Sequence, residues 1–245
     1  MPTILISGAA SGIGHAFLQS YSKHTNNNII AIDRAPIDTS TIPVQAKIET
    51  YTVDITSQES LNAFLPHIQD TPINLLIHSI GIRGLVPSIE AKNPANVAAA
   101  ETLDVMDTET MMRTHNINTI GTFTLLRSLL PNLTLSTTQT KQPAKVIIMG
   151  SRMGSMGYNT TGSAYAYRAS KAALNAVIKS FSIDVPGVIW VIMHPGRVES
   201  GLVKCKEEGA ISAEESVNGM VPLIEGFAVK DSGTFLDRFG EKIEW

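Results

Sequence analysis

Short apolar runs that alternate with longer stretches of helical period leave this chain few folds to choose from. The runs Thr3–Ser7, Asn28–Asp33, Glu49–Val53, Ile73–His78, Lys145–Met149, Val188–Met193 and Thr234–Leu236 have the length and continuity of strands in a parallel sheet buried on both faces. Helices are expected between them, near Gly12–His24, Ser57–Ile68, Asp107–Leu130, Ser163–Ile183 and Ala213–Glu225. Strand and helix in alternation make βαβ units, and these in series make an α/β domain: a doubly wound, seven-stranded parallel sheet flanked by helices. Thr56 with Glu59, and Ser212 with Glu215, have the Ser/Thr-x-x-Glu spacing of a capping box and give two helix starts a local cause. Pro222 is expected to kink or shorten the last helix. Leu133–Pro143, rich in Thr, Ser and Gln and lacking a helical stripe, is expected to be a surface loop after a helix ending at Pro131.

Composition narrows the partners. At 245 residues, 43% apolar and 17% charged, the chain can bury a core without disulfide or metal staples. No repeat or interior linker divides it, so residues 1–245 are expected to form a single domain that both binds cofactor and carries out catalysis. Nineteen Lys and Arg against 22 Asp and Glu leave a net charge of −3, no footprint for a phosphate backbone, and nucleic acid is not an expected partner. One cysteine, Cys205, cannot close an internal bridge and suits a reducing compartment or one indifferent to redox state. The segment before Gly8 has no cationic stretch, and Val188–Met193, the longest apolar run, is far below the ~20 residues that cross a bilayer. A cytoplasmic location without membrane contact is expected, which leaves the sequons at Asn132 and Asn159 incidental.

The chemistry begins at Ser7-Gly8-Ala9-Ala10-Ser11-Gly12-Ile13-Gly14, which follows the first strand and opens the first helix. Glycines let backbone approach an anion closely, and a helix N-terminus offers unpaired N–H groups and partial positive charge. Nineteen residues after Gly14, Asp33 ends the second strand, where a carboxylate can accept hydrogen bonds from an adenosine ribose and repel a 2′-phosphate. That favours NAD, although the adjacent Arg34 could pair with the phosphate of NADP. Asp54 follows the third strand and is placed either against an adenine edge or as a turn or cap carboxylate.

Tyr167 has Lys171 four residues on. On a helix that spacing shares a face, and an ammonium near a phenol stabilises the phenolate, moving the group toward the working range of a proton-transfer catalyst. The glycine turn, the Tyr167-Arg168-Ala169-Ser170-Lys171 segment and His194-Pro195-Gly196-Arg197-Val198-Glu199-Ser200 stand in the order and separation of the short-chain dehydrogenase/reductase family, which the whole chain resembles. Gly150–Ser155, Tyr165–Asn175 and the ending from Asp231 to Trp245 are similar to its C-factor-like carbonyl reductase branch.

The resemblance implies a Rossmann-type domain and an NAD(P)-dependent hydride transfer between nicotinamide and a carbonyl or secondary alcohol. Tyr167 would be the acid/base group, Lys171 would lower its pKa and contact the nicotinamide ribose, and Ser151 would hydrogen-bond the substrate oxygen, with Ser155 as the competing serine. Asn118, in Asn118-Thr119-Ile120-Gly121, would support a proton relay to the lysine. Cofactor contacts are implied from Gly8, Ser11, Gly12, Ile13 and Gly14, from Asp33, Arg34, Asp54 and Ile55, and from Ser79 and Gly81. Tyr167, Lys171, Pro195, Gly196, Val198 and Ser200 would complete them. Met153, Met156 and Arg197 are candidates for substrate contact. A homodimer or homotetramer is the family's expectation.

Departures accompany the match. His78-Ser79-Ile80-Gly81 replaces the family's Asn-Asn-Ala-Gly, and His78 reads as a structural imidazole. Arg197 stands where the branch often has an aromatic residue and could accept an anionic group. Residues 198–218 read as a substrate lid, or 198–209 as a plain solvated loop. The six histidines have no metal-ligand spacing, so no metal is expected. Met106, Met111, Met112, Met149, Met153 and Met156 read as core or pocket filler. The alternative function is a dinucleotide-binding regulatory protein of the same fold without turnover, and the intact set Ser151, Tyr167, Lys171 and Asn118 favours the enzyme.

Overall fold

The strands are β1 (Thr3–Ser7), β2 (Asn28–Asp33), β3 (Lys47–Thr52), β4 (Leu75–His78), β5 (Ala144–Met149), β6 (Val188–His194) and β7 (Thr234–Asp237). In this computed structural model, which describes residues 1–40, 42 and 45–245, they form one parallel sheet in the order β3-β2-β1-β4-β5-β6-β7. The order reverses between β1 and β4, and a crevice opens there beyond the carboxyl ends of the strands, where α/β sheets bind ligands.

Helices α1 (Gly12–Ser22) and α7 (Ala213–Gly226) cover one face, over a cluster including Ile6, Phe17, Val191 and Met220. On the other face lie α2 (Gln58–Phe64), α5 (Thr122–Thr140) and α6 (Tyr165–Asp184), over Leu5, Leu126, Leu174 and Trp190. Two further helices, α3 (Pro87–Lys92) and α4 (Thr108–His115), lie beyond β4. Trp190 is fully buried and stacks on Phe181 at 4.8 Å.

Several expectations are corrected. The helix expected over Asp107–Leu130 is two, α4 and α5, joined by a π-helical turn at Asn116–Gly121. The surface loop expected at Leu133–Pro143 is largely helix, since α5 continues through Pro131 to Thr140. Its buried stripe passes from Leu125, Leu126 and Leu129 to Asn132, Leu133 and Ser136. The polar members hide that stripe from a hydropathy reading, yet each has a partner. Asn132 Nδ2 donates to the carbonyls of Ile68 and Thr71 at 2.6 and 2.9 Å, and Ser136 Oγ accepts from Asn74 Nδ2 at 2.8 Å. Helix α3 lacks any buried residue and so any apolar period.

The cap of α2 is Ser57 rather than Thr56: Ser57 Oγ accepts from Ser60 N–H, while Thr56 Oγ1 donates to Asp54. Ser212 caps α7 as expected, but the carboxylate of Glu215 pairs with Arg238 at 3.2 Å instead of returning to the cap. Pro222 does not shorten α7, which runs on to Gly226.

Candidate active site

The glycine turn lies at the crevice. A Cβ on Gly14 would collide with the carbonyl of Gly8, so α1 can start this close to β1 only with glycine there. Gly12 takes a positive φ of 55°, and a Cβ on it would come within 2.7 Å of the Ser200 carbonyl. Among the described residues, no side chain caps α1 at Ser11 and no acidic residue occupies its first turn, which leaves the helix's positive end free for an anion.

The crevice has a volume of about 320 Å³. Gly8, Ser11, Ile13 and Gly14 line it from the turn, Asp33 and Arg34 from the end of β2, and Asp54 and Ile55 from beyond β3. Ser79 and Gly81 after β4, Tyr167 and Lys171 on α6, and Pro195 and Ser200 after β6 complete the wall. Asp33 is set by two backbone donors, Ala10 N–H to Oδ2 and Ala35 N–H to Oδ1, both at 3.0 Å. Asp54 does close a turn, accepting from Thr56 N–H at 2.8 Å, while also lining the crevice.

His78 is fully buried between strands and helix. Its Nε2 lies 2.8 Å from Thr122 Oγ1 and its Nδ1 2.7 Å from Ser7 Oγ. Since Thr122 already donates to the Asn118 carbonyl at 3.0 Å, Nε2 must carry the proton and Nδ1 must accept from Ser7. Burial, then Lys171, push the imidazole down to about 3, so it is neutral and structural. Ser79 Oγ donates to the Ser7 carbonyl at 2.8 Å, tying the same two strands. The segment that departs from the family pattern thus stitches β1, β4 and α5 together.

The π-helical turn swings Asn118 inward. Its Oδ1 accepts from Ile82 N–H at 2.8 Å, and its Nδ2 donates to the Ile82 carbonyl at 2.9 Å and to Ser170 Oγ at 3.0 Å. This locks the loop after β4 to the helix of the tyrosine. Lys171, 4% exposed, donates to the Met149 carbonyl at 2.9 Å, and burial lowers it to about 8.

The electrostatics of Tyr167 differ from the expectation that Lys171 acidifies it. The ring is buried, and burial raises its pKa. The strongest opposing influence is Arg83, whose guanidinium carbon sits 5.1 Å from the ring centroid, followed by a hydrogen bond from Ser151. Lys171 Nζ is 5.9 Å from that centroid and committed to Met149. Of the two candidate serines, Ser151 acts on the phenol, while Ser155 Oγ turns away to accept from Tyr158 N–H at 3.2 Å.

Other candidates fall elsewhere. Arg197 is exposed and donates to the Glu208 carbonyl at 2.9 Å, bracing its own loop. Gly196 turns the chain at a φ of 92°, and Val198 bridges Ile211. Met156 is 76% exposed, and Met111 and Met112, at 39% and 67%, lie outside the core and line a groove between α4 and α6. Met153 accepts from Arg83 Nη1 through its sulfur at 3.1 Å. Of residues 198–218, the last six belong to α7; the loop before them reaches over the glycine turn through Ser200, Gly201 and Leu202. Arg83 and Glu101 escaped sequence reading because they belong to no motif, and no spacing marked them as a pair. Among the described residues no cluster of His, Cys, Asp and Glu could hold a metal ion, and no helix is long and apolar enough to cross a membrane.

Comparisons with known proteins agree with this architecture. The family model described as short chain dehydrogenase matches residues 2–210. The C-signal protein of Myxococcus xanthus is 33% identical over 187 residues, covering 76% of this chain and all of that protein. A 1-hydroxy-2-glutathionyl-2-methyl-3-butene dehydrogenase of Rhodococcus sp. (strain AD45) is 30% identical over 253 residues, covering both chains completely. The NADPH-bound carbonyl reductase from chicken fatty liver superposes with a TM-score of 0.83 at 26% identity, over all of this chain and 94% of that one.

Proposed function

Because this chain belongs to the short-chain dehydrogenase/reductase family and is an NAD(P)-dependent oxidoreductase, we propose that it interconverts a carbonyl compound and its secondary alcohol in the cytoplasm, with Tyr167 as the acid/base group. The observation that carries this reading is the convergence of Tyr167, Lys171, the glycine turn and Asp33 on one crevice. A nicotinamide dinucleotide fits the uncapped start of α1, the crevice that Gly8, Ser11 and Gly14 line beside it, and the carboxylate at the end of β2. When bound, it supplies or takes up the hydride.

The chain's own residues handle the proton. Tyr167 O–H gives its proton to a carbonyl oxygen as that oxygen gains negative charge, or as phenolate takes it from an alcohol. Ser151 Oγ donates a hydrogen bond to the same oxygen and stabilises the charge developing there. Lys171 adds positive charge beneath the ring, and Asn118 fixes the loop and helix on which these groups ride. The loop from 198 to 209 excludes water as a lid. Glu199 and Ile211 are joined across its base by a 2.9 Å backbone bond, and Lys204 pairs with Glu90 of α3 at 3.4 Å.

NAD(H) is the preferred coenzyme in this reading, because Asp33 is held toward the ribose end of the crevice and repels a 2′-phosphate more than the exposed Arg34 attracts it. A second copy of the chain covers the groove between α4 and α6, lined by Met111, Met112, Ile120, Ala166 and Ala169, making a dimer or tetramer. A regulatory protein without turnover is not favoured, since the whole proton-handling set is retained. Titration with NADH and NADPH, followed by a panel of carbonyls and alcohols read by nicotinamide absorbance, tests the function. Turnover with tighter NADH binding is expected; no turnover with any member of the panel would oppose it.

A further inference from the structure

We infer that the Arg83–Glu101 pair is a positioning device for Tyr167, clamping the phenol ring from the loop after β4 and setting the pH range over which it exchanges its proton. The pair is built as a fork. Arg83 Nε donates to Glu101 Oε2 at 2.8 Å and Nη2 donates to Oε1 at 2.9 Å, with the two side chains 14% and 9% exposed. Nη1 is spent on Met153 Sδ at 3.1 Å, so every guanidinium nitrogen has a partner and the plane cannot rotate. A guanidinium fixed in this way at 5.1 Å from the Tyr167 centroid is a cation on an aromatic ring, worth most where water is excluded.

Glu101 also holds the helix that carries the ring. Its carbonyl accepts from Ala164 N–H at 2.9 Å and from Ser163 Oγ at 3.0 Å, at the entry to α6. Ser163 and Ala164 take φ values of 57° and 52° there. Two successive non-glycine residues in the left-handed region cost free energy and persist only where their surroundings hold them. Glu101 therefore fixes α6 through its backbone and Arg83 through its carboxylate. The charged groups facing Tyr167 are Arg83, Glu101, Glu207 of the lid and Lys171 of its own helix; Arg83 favours the phenolate, while Glu101 and Glu207 oppose it.

The inference rests on Tyr167 being the acid/base group, and the test separates the two. In alcohol oxidation the phenolate is the active form, so kcat/KM rises with pH along a limb that reports the phenol. Arg83→Met is expected to move that limb to higher pH by about one unit, with Arg83→Lys moving it less, and Glu101→Gln to lower pH. Either single change leaves a buried charge unpaired and can unfold the chain. The double variant R83M/E101Q leaves none, and still moves the limb upward because the guanidinium acts on the ring more strongly than the carboxylate. A limb unmoved in a folded double variant, with kcat reduced at every pH alike, would reduce the pair to a structural role and overturn the inference. Activity surviving Tyr167→Phe would instead overturn the acid/base reading beneath it.

Discussion

His78 shows how far one side chain's environment reaches. Its folded pKa is depressed from 6.5 to about 3 by burial first and Lys171 second, so below pH 6.5 the unfolded chain accepts a proton that the folded chain refuses. The stabilisation from this group is complete above the unfolded value and is lost as pH falls from about 6.5 toward 3. His194, lowered to about 4 by burial and then Arg152, acts in the same direction. His78→Asn, which restores the family's residue, is expected to recover roughly 3 kcal/mol of the stability lost between pH 7 and pH 4. Thermal melts across that range check it, and an unchanged pH slope would contradict it. Asp33→Ala is expected to weaken NAD(H) about tenfold, as loss of a charged hydrogen-bond acceptor does, while NADP(H) loses less; fluorescence titration of both reduced forms decides. The carboxylate at the end of a second strand was readable from its spacing, whereas Arg83 was not, because a lone arginine in a loop acquires meaning only from the glutamate that folding brings to it.

At the scale of elements, strands were the most readable part, since β1, β4, β5 and β6 are buried on both faces and their sequences are accordingly almost wholly apolar. Helices were readable only where burial was apolar. Helix α5 was cut short in the sequence reading because Asn132 and Ser136 continue its buried stripe with polar atoms, and the reason appears only in their partners around Ile68, Thr71 and Asn74. The π-helical turn was equally hidden: it adds no apolar period, and its purpose is to aim Asn118 at Ile82 and Ser170. Asn132→Ala removes two hydrogen bonds to backbone carbonyls, one of them buried, and is expected to cost about 1–3 kcal/mol, measured by denaturant unfolding. A change below about 0.5 kcal/mol would show that the bonds do not hold α5 in register.

Over the whole molecule, two surfaces remain to be used. The crevice at the β1–β4 reversal is the proposed coenzyme site, and the α4–α6 groove lies behind the same helix that carries Tyr167 and Lys171. Met112, 67% exposed at that groove, is the position to change. Met112→Glu is expected to convert an assembled form to monomer in light scattering without altering the melting temperature of the subunit. An unaltered mass would remove this face from the assembly.

Proton transfer in the proposed reaction turns on the phenol of Tyr167, and Tyr167→Phe tests it most directly, because it deletes one oxygen from a buried ring. Steady-state turnover of carbonyl and alcohol should fall by about 10²-fold or more, while NADH affinity stays within a few-fold of the unaltered chain. Turnover retained at the unaltered rate would contradict the assignment of the proton to this residue.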